Sequence, residues 1–433
     1  MLRQHRPSLR VDSAFHPVAC HPFLRPLLLS AVVSALAFTA VLVPPAAALA
    51  ASLDEATFLR RFEAFDPRAA VLATRVDIAR AAVAAAGVRP NPTLSLDRED
   101  AFASGRGEPE NILRFQAPFD LSGRRGVQIE AAQAGVRAVT EDIAHERHLL
   151  RLQALALYRD AAFARQRVDV LAAGVTGVRA AVETLRKRVA GGHTAGYDLQ
   201  RLELELGDWE ERIGEAEADR DLAAQGLALV VGATQPVQAE AVVLSASATA
   251  TAAADRADVR AAAAGIEQAD LEASAAGRRR LPGLALTGGL KSQERDERTA
   301  VGYVIGVAVT LPLFDRGEAE HVAATARKRE ALARKNALAV QIPVEIQMAT
   351  SILQRRIEQA RQREDTWLPR VDRLAQKTEA AWREGERPVF EVLDAWRLAR
   401  DGRLRLLDLR QAASTAELDL WRAKGRLPWE VAP

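Results

Sequence analysis

The chain has 433 residues, more than one small core needs, and Ala, Leu, Arg and Glu dominate it with only 19 Pro, a helical bias. Aromatic residues make up 5%, which argues against a large aromatic-filled globular core. The formal charge of +2 comes from the first 50 residues, which hold four Arg and one Asp; the remainder carries 55 basic and 56 acidic residues, so no case for nucleic-acid binding survives.

The N-terminus reads as an export signal at residues 1–50. Arg3, Arg6, Arg10 and Arg25 form a basic region, residues 27–43 are an apolar run of 17, and Ala48-Leu49-Ala50 offers the small-x-small pattern that a signal peptidase cleaves after. A run of 17 is at the short limit for a membrane anchor. Cys20 precedes that run, so it cannot be a lipoprotein's lipidated Cys; cleavage after Ala50 leaves no Cys for disulfides or thiolate metal sites. Beyond residue 43 no segment carries 18 or more apolar residues, so entry into a membrane requires strands, and strands must close a barrel.

Residues 54–88 show helical Ala/Val/Leu periodicity, interrupted near Pro67 and stopped by Arg89-Pro90-Asn91-Pro92. Alternating stretches follow at about 93–97 and 111–119, with Leu113, Phe115, Ala117 and Phe119 on one face and Ile112, Arg114 and Gln116 on the other. The polar residues 97–111 between them read as a loop, so the unit is a hairpin with one apolar face. From 126 to 190 no Pro intervenes, and 65 helical residues at ~1.5 Å each would extend roughly 97 Å. Val168, Leu171, Val175, Val178, Val182, Leu185 and Val189 step by 3 and 4, the rhythm of a left-handed coiled coil. Gly191-Gly192 turns the chain, and Leu199, Leu202, Leu206, Trp209, Ile213 and Ala216 repeat the rhythm along a return helix at 197–231.

Residues 233–256 read as an Ala/Ser/Thr-rich linker, after which the plan is written again. Leu281-Pro282 onward matches Asn91-Pro92 onward at an offset of 190, Leu311-Pro312 and Gly317 match Ala117-Pro118 and Gly123 at 194, and Gly425 matches Gly232 at 193. The second copy is expected to hold strands at about 283–290 and 301–312, a long helix at 317–384, a turn at Gly385 and a return helix at 389–424, with a tail at 427–433. Its seam runs through Leu368, Val371, Ala375, Thr378 and Trp382. Pro343, where the first copy has Leu150, should kink the second long helix, at ~3 kcal/mol if uncompensated. The fold class is mainly α with a β-barrel part: long helical hairpins duplicated in repeats 51–232 and 257–426, plus four strands. Transmembrane barrels have at least about eight strands, so several copies must share one barrel.

The plan resembles the TolC-like family of outer-membrane factors, the exit ducts of tripartite efflux pumps and type I secretion systems. The residues that carry the resemblance are Arg89-Pro90-Asn91-Pro92-Thr93-Leu94, Gln116-Ala117-Pro118-Phe119-Asp120-Leu121-Ser122-Gly123, Val309-Thr310-Leu311-Pro312-Leu313-Phe314-Asp315-Arg316-Gly317, and the segment 385–395. The Arg-Pro-Asn-Pro and Leu-Pro-Leu-Phe-Asp-Arg stretches look most like the heavy-metal cation (Czc-type) branch. The resemblance implies a homotrimer, with a 12-stranded barrel in outer-membrane lipid and an α-barrel tunnel in the periplasm. It also implies a periplasmic adaptor (membrane fusion) protein and an inner-membrane pump of the resistance-nodulation-division type as partners. The alternatives are a type I secretion channel and, in a different class, a periplasmic adaptor or structural coiled coil. An adaptor would need one hairpin flanked by strand-rich modules, and a coiled coil has no use for four alternating strands.

By motif position, the family's charged lock and acidic constriction fall on Asp198 in the first repeat and Arg387, Glu391 and Asp394 in the second. Glu391 and Asp394 stand at i and i+3, and three copies would set six carboxylates around a narrow pore, attractive to cations. The plainer reading is a solvated helix start, with Asp198 and Glu391 complementing the helix N-terminus. Glu391 fills a position that is commonly Asp, and Pro388 stiffens the turn. Gly191, Gly192 and Gly385 are candidate adaptor-docking points, since backbone can be approached closely there, or simple helix-breaking turns. His145 and His148 beside Glu141 and Glu146 have the spacing of a metal pair, against the bland reading of incidental surface histidines. Arg186-Lys187-Arg188 offers an adaptor an electrostatic contact, or is a solvated coiled-coil face. No catalytic triad order, phosphate loop or dinucleotide motif in a strand-to-helix context appears, so neither enzyme activity nor a cofactor is expected.

Overall fold

Backbone pairing, rather than apolar alternation, sets how far a strand extends. The computed structural model describes residues 52–103, 106–192, 196–242, 244, 256–295 and 298–430; the expected signal peptide and the 245–255 stretch lie outside them. Within them the four long strands are β2 (Thr93–Ala103), β3 (Arg106–Phe119), β5 (Gly283–Arg295) and β6 (Arg298–Thr310). They form one antiparallel sheet in the order β2-β3-β5-β6. Both hairpins are longer than the alternation at 93–97, 111–119 and 283–290 indicates, because the ladder continues through charged residues: Arg98 pairs with Asn111, Glu99 with Glu110 and Gln293 with Ala300. Only the upper bound of 312 is too generous, since β6 ends at Thr310 before Pro312.

Alternation gives the sheet two unlike faces. Leu94, Leu96, Phe115, Leu290, Tyr303, Ile305 and Val307 lie exposed on one, in register across the ladder (Leu94 opposite Phe115, Leu290 opposite Tyr303). The other carries an Arg114–Asp97 ion pair at 2.8 Å, a Lys291–Glu110 pair at 2.5 Å and buried Ile112. From Val301 to Val309 the apolar band covers ~27 Å of extended chain.

The helices lie to one end of the sheet. An Asp54 cap, whose carboxylate accepts from the Thr57 N–H at 2.7 Å, starts α1 (Glu55–Phe65), and Pro67 separates it from α2 (Arg68–Gly87). Helix α3 (Arg124–Ala190) has 67 residues, ~100 Å, and α4 (Gly196–Val230) returns along it. The second half has α5 (Ala257–Gly277), α6 (Glu318–Gln362), a π turn at Arg363–Trp367, α7 (Leu368–Arg383) and α8 (Val389–Lys424). No helix among the described residues is long and apolar enough to cross a membrane. Among those residues, six glycines adopt positive φ, and they fall into three pairs: Gly123 and Gly317, Gly192 and Gly385, Gly232 and Gly425. A residue with a Cβ is disfavoured at each, so the duplicated spacing is kept where the chain turns.

Helix α6 is not broken at Pro343, and a π turn interrupts the second hairpin farther on. Helix α6 continues through Pro343, with neighbouring Ile342 only 1% exposed and packing holding the segment across the missing hydrogen bond. The break in register comes at the π turn, where Pro369 has no N–H for the Asp365 carbonyl. The stretch read as a linker also holds structure: β4 (Gln238–Ala239) pairs in parallel with β1 (Ser52–Leu53), burying Val237 and Ala239. Nor is 427–433 a bare tail, since Leu427 is buried and Trp429 meets Trp421 edge-on at 5.7 Å.

Around β1 and β4 sits the largest core, where Phe58, Leu59 and Phe62 of α1 meet Leu152, Leu155 and Tyr158 of α3 and Leu418 and Trp421 of α8. The Tyr158 hydroxyl donates to the Leu53 carbonyl at 2.6 Å and accepts from the Glu240 N–H at 2.9 Å, and its burial pushes its pKa up to about 12. Beside it Arg159 is buried, donating to Glu55 and Glu417 at 2.7 Å each and stacking over Trp421 at 4.7 Å. Farther along, Trp209 of α4 packs on Gly174 of α3, and Trp367 packs on Gly402 of α8; a Cβ on either glycine would lie 1.9 Å from the indole. Positions 174 and 367 are 193 apart, as are 209 and 402, so the bulky and bare partners are exchanged between the two hairpins.

Arg159→Leu removes the cation between the buried Glu417 carboxylate and the partly exposed Glu55, leaving Glu417 buried without that partner, and should lower stability by ~3 kcal/mol. Thermal unfolding of the detergent-extracted protein, followed by circular dichroism, measures it.

Candidate gate and docking tip

The far end of the hairpins is a four-helix packing built from the heptad seams. Val175, Val178, Val182 and Leu185 of α3, Leu202 and Trp209 of α4, Trp382 of α7 and Val389, Val392 and Leu393 of α8 form one buried cluster. At its end the chain turns at Gly191-Gly192 and at Gly385. The second turn closes with the Gly385 N–H on the Trp382 carbonyl at 3.0 Å and the Glu386 N–H on that of Ala381 at 2.9 Å, the double bond pattern of a glycine C-cap. Gly192 and Gly385 have φ of 73° and 84°, and open space surrounds the position where a Cβ would be.

Asp198 and Arg387 come together here: both line one groove of about 430 Å³ with Leu185, Arg188, Trp382, Gly385, Pro388 and Val389. Arg387 is not ion-paired to Asp198. Its guanidinium reaches Glu391, one turn on in α8, at 2.8 Å, so Glu391 stands beside a cation. Asp394 is exposed, with Arg397 3.5 Å away. Asp198 and Glu391 each sit in the first turn of a helix, where a negative charge is favoured.

Sequence reasoning missed the contacts that hold the tip together. Arg397 of α8 grips Glu205 of α4 with two nitrogens, one at 2.8 Å, and Glu205 also accepts from the Trp209 indole N–H at 2.8 Å. Arg400 stacks on Trp209 at 4.4 Å. Residues 205 and 397 are 192 apart, and no local pattern joins them. Two members of the basic triplet are engaged within the chain: Arg186 bonds Glu183 at 2.5 Å and Glu203 at 2.8 Å, and Arg188 donates to the Arg383 carbonyl at 3.2 Å. The His145/His148 pair is split, since His148 is buried against the Trp421 carbonyl at 3.1 Å while Glu141 and Glu146 pair with Arg260 and Arg75. No cluster of three metal-ligating side chains occurs among the described residues.

An antiparallel sheet with an exposed apolar face, set on two long helical hairpins, is the plan expected from the resemblance to TolC-like outer-membrane factors. Residues 249–426 match the outer membrane efflux protein family. The chain is 26% identical over 372 residues to the cobalt-zinc-cadmium resistance protein CzcC of Cupriavidus metallidurans, covering 81% of this chain and 85% of that one. It is 27% identical over 294 residues to the nickel-cobalt-cadmium resistance protein NccC of Alcaligenes xylosoxydans xylosoxydans, covering 64% of each. Its fold is that of CusC, whose crystal structures describe transmembrane channel formation, with a TM-score of 0.70, 17% identity and coverage of 87% and 93%. Residues 249–426 thus carry the pattern of the outer membrane efflux protein family, and the similarity to CzcC and to the fold of CusC extends over most of the chain.

The hydrogen bond from Arg397 holds the Glu205 carboxyl below its ordinary value of 4.5, against the opposing effect of burial and with help from Trp209. A depressed carboxylate stabilises the fold in full above its unfolded value, and the contribution is lost as pH falls through the folded one. Hydrogen-exchange protection along 200–210 and 392–402, taken relative to the intrinsic rate at each pH, should therefore fall below about pH 4.5, and Glu205→Gln should flatten that acid response.

Proposed function

We propose that this chain is the exit duct of a tripartite efflux system, spanning the outer membrane as a homotrimer and extending into the periplasm after removal of residues 1–50. The observation that carries the reading is the sheet. Four strands leave the edges of β2 and β6 without a strand partner among the described residues, and their exposed apolar band matches the ~25 Å height of an outer-membrane barrel. Three copies supply twelve strands, and the hairpins of repeats 51–232 and 257–426 then line one tunnel. Divalent metal cations are the cargo this reading favours, because the two similar proteins are named for cobalt, zinc, cadmium and nickel resistance. A type I secretion role has no such support.

The tip is the gate in this proposal. Asp198, Arg387, Glu391 and Asp394 form its charged ring, with Arg387 held by Glu391 within each copy. Gly191, Gly192 and Gly385 present the open backbone on which a periplasmic adaptor docks, and an inner-membrane pump of the resistance-nodulation-division type supplies the energy.

Detergent-extracted protein should have trimer mass by light scattering, and a stable monomer would overturn the shared barrel. In planar bilayers, Glu391→Ala with Asp394→Ala should weaken divalent-cation block by about tenfold. Arg387→Ser should raise closed-state conductance and deepen that block; unchanged block in both variants would remove these residues from the constriction.

A further inference from the structure

All four junctions between sheet and helices lie at one end of the sheet: β2 starts at Thr93, β3 ends at Phe119, β5 starts at Gly283 and β6 ends at Thr310. The ladder sets Phe119 opposite Leu284 and Gly283 opposite Thr310. Arginines bind the junctions together. Arg278 donates to the Ser122 and Gly123 carbonyls at 3.3 and 2.9 Å, Arg279 pairs with Asp315 at 2.6 Å and with Glu320, and Arg124 reaches Glu320 at 3.3 Å. Over 88–92, 120–125, 278–282 and 311–320 the chain places seven arginines against four carboxylates, an excess of three.

Most of those carboxylates are engaged locally. Asp120 accepts from the Ser122 and Arg125 N–H groups at 3.0 Å each, Asp315 from the Gly317 N–H at 3.1 Å, and Glu320 from two arginines, while Glu318 stands in the first turn of α6. Arg89, Arg280 and Arg316 are exposed and have no acidic partner among the described residues. Beside them stand apolar side chains open to solvent: Phe314 is 100% exposed, Leu121 72% and Leu313 62%. Leu121 follows the end of β3 by two residues, and Leu313 and Phe314 follow the end of β6 by three and four, so they stand at the end where the strands stop. Exposed apolar groups next to unpaired guanidinium groups, at the end of an apolar band, are the chemistry of a membrane–water boundary.

We propose that this junction is a collar that binds anionic phospholipid headgroups. Phe314, Leu121 and Leu313 enter the edge of the acyl region, and Arg89, Arg280 and Arg316 bind headgroup phosphates, which suit the planar guanidinium fork. This rests on the reading that the sheet lies in a bilayer, and it adds the lipid class and the residues that select it. In the proposed trimer each copy brings the same excess of three positive charges to this level, so the ring as a whole is positive and calls for an anionic occupant.

Native mass spectrometry of the full protein, titrated with phosphatidylglycerol or phosphatidylcholine, tests the collar. The wild type should retain phosphatidylglycerol preferentially, and the preference should fall by about fivefold for each arginine replaced in R89Q, R280Q and R316Q. A nitroxide attached through Phe314→Cys, in a chain carrying Cys20→Ser, should be reached by oxygen and shielded from a water-soluble nickel complex in phosphatidylglycerol vesicles. Equal retention of the two lipids, a triple variant that keeps the preference, or spin coupling that sets residue 314 against another copy would each overturn the collar. Channel insertion into planar bilayers separates the two ideas: insertion without lipid preference defeats the collar alone, and no insertion defeats the membrane reading with it.

Discussion

The structure depends on a sheet that is incomplete in one chain. Four antiparallel strands leave the N–H and C=O groups of two edges without strand partners among the described residues, and one face of Leu, Phe, Tyr, Ile and Val exposed. In water such a sheet invites aggregation, and in a bilayer an open edge is costlier still, because hydrocarbon offers those groups no hydrogen bonds. Closure by further copies relieves both. The opposite face is already suited to a wet interior, with the Arg114–Asp97 and Lys291–Glu110 pairs side by side with small residues such as Gly302 and Gly306.

The helices meet the complementary demand. The chain must pass from a ladder to a long helix within a few residues, and Gly123 and Gly317 do this in the left-handed conformation at the starts of α3 and α6. The two halves then diverge where packing, rather than backbone conformation, is at stake. By the repeat spacing, buried Arg159 corresponds to Ile352, which is 49% exposed, so the first half carries a buried centre where the second presents surface. The exchange of Trp and Gly between Gly174–Trp209 and Trp367–Gly402 keeps each contact filled while moving the bulky group to the other helix.

Much of this was legible in the chain. The 3,4 steps picked out Val168, Leu171, Val175, Val178, Val182 and Leu185, which are buried, and Val189, which is half-buried next to the turn, because a helical period reports directly which face meets a neighbour. The tip glycines were legible for the same local reason. The full strand lengths were not, since the ladder runs on through residues with no apolar preference. Pro343 removes one bond from a helix that continues through it, while the π turn, marked by Pro369, was not read from the helical period. The candidate gate was half legible: the positions of Asp198, Arg387, Glu391 and Asp394 could be named, but not that Arg387 reaches Glu391, nor that Arg397 and Glu205 bind α8 to α4.

By itself the sequence determined the repeat, the helical seams, the turns and the two faces of each strand, because period and glycine conformation are properties of neighbouring residues. Only the tertiary structure decided where strands stop, which buried charges meet and which arginines stay unpaired. Those outcomes depend on groups some 40 to 260 positions apart, brought within hydrogen-bond distance by the hairpins.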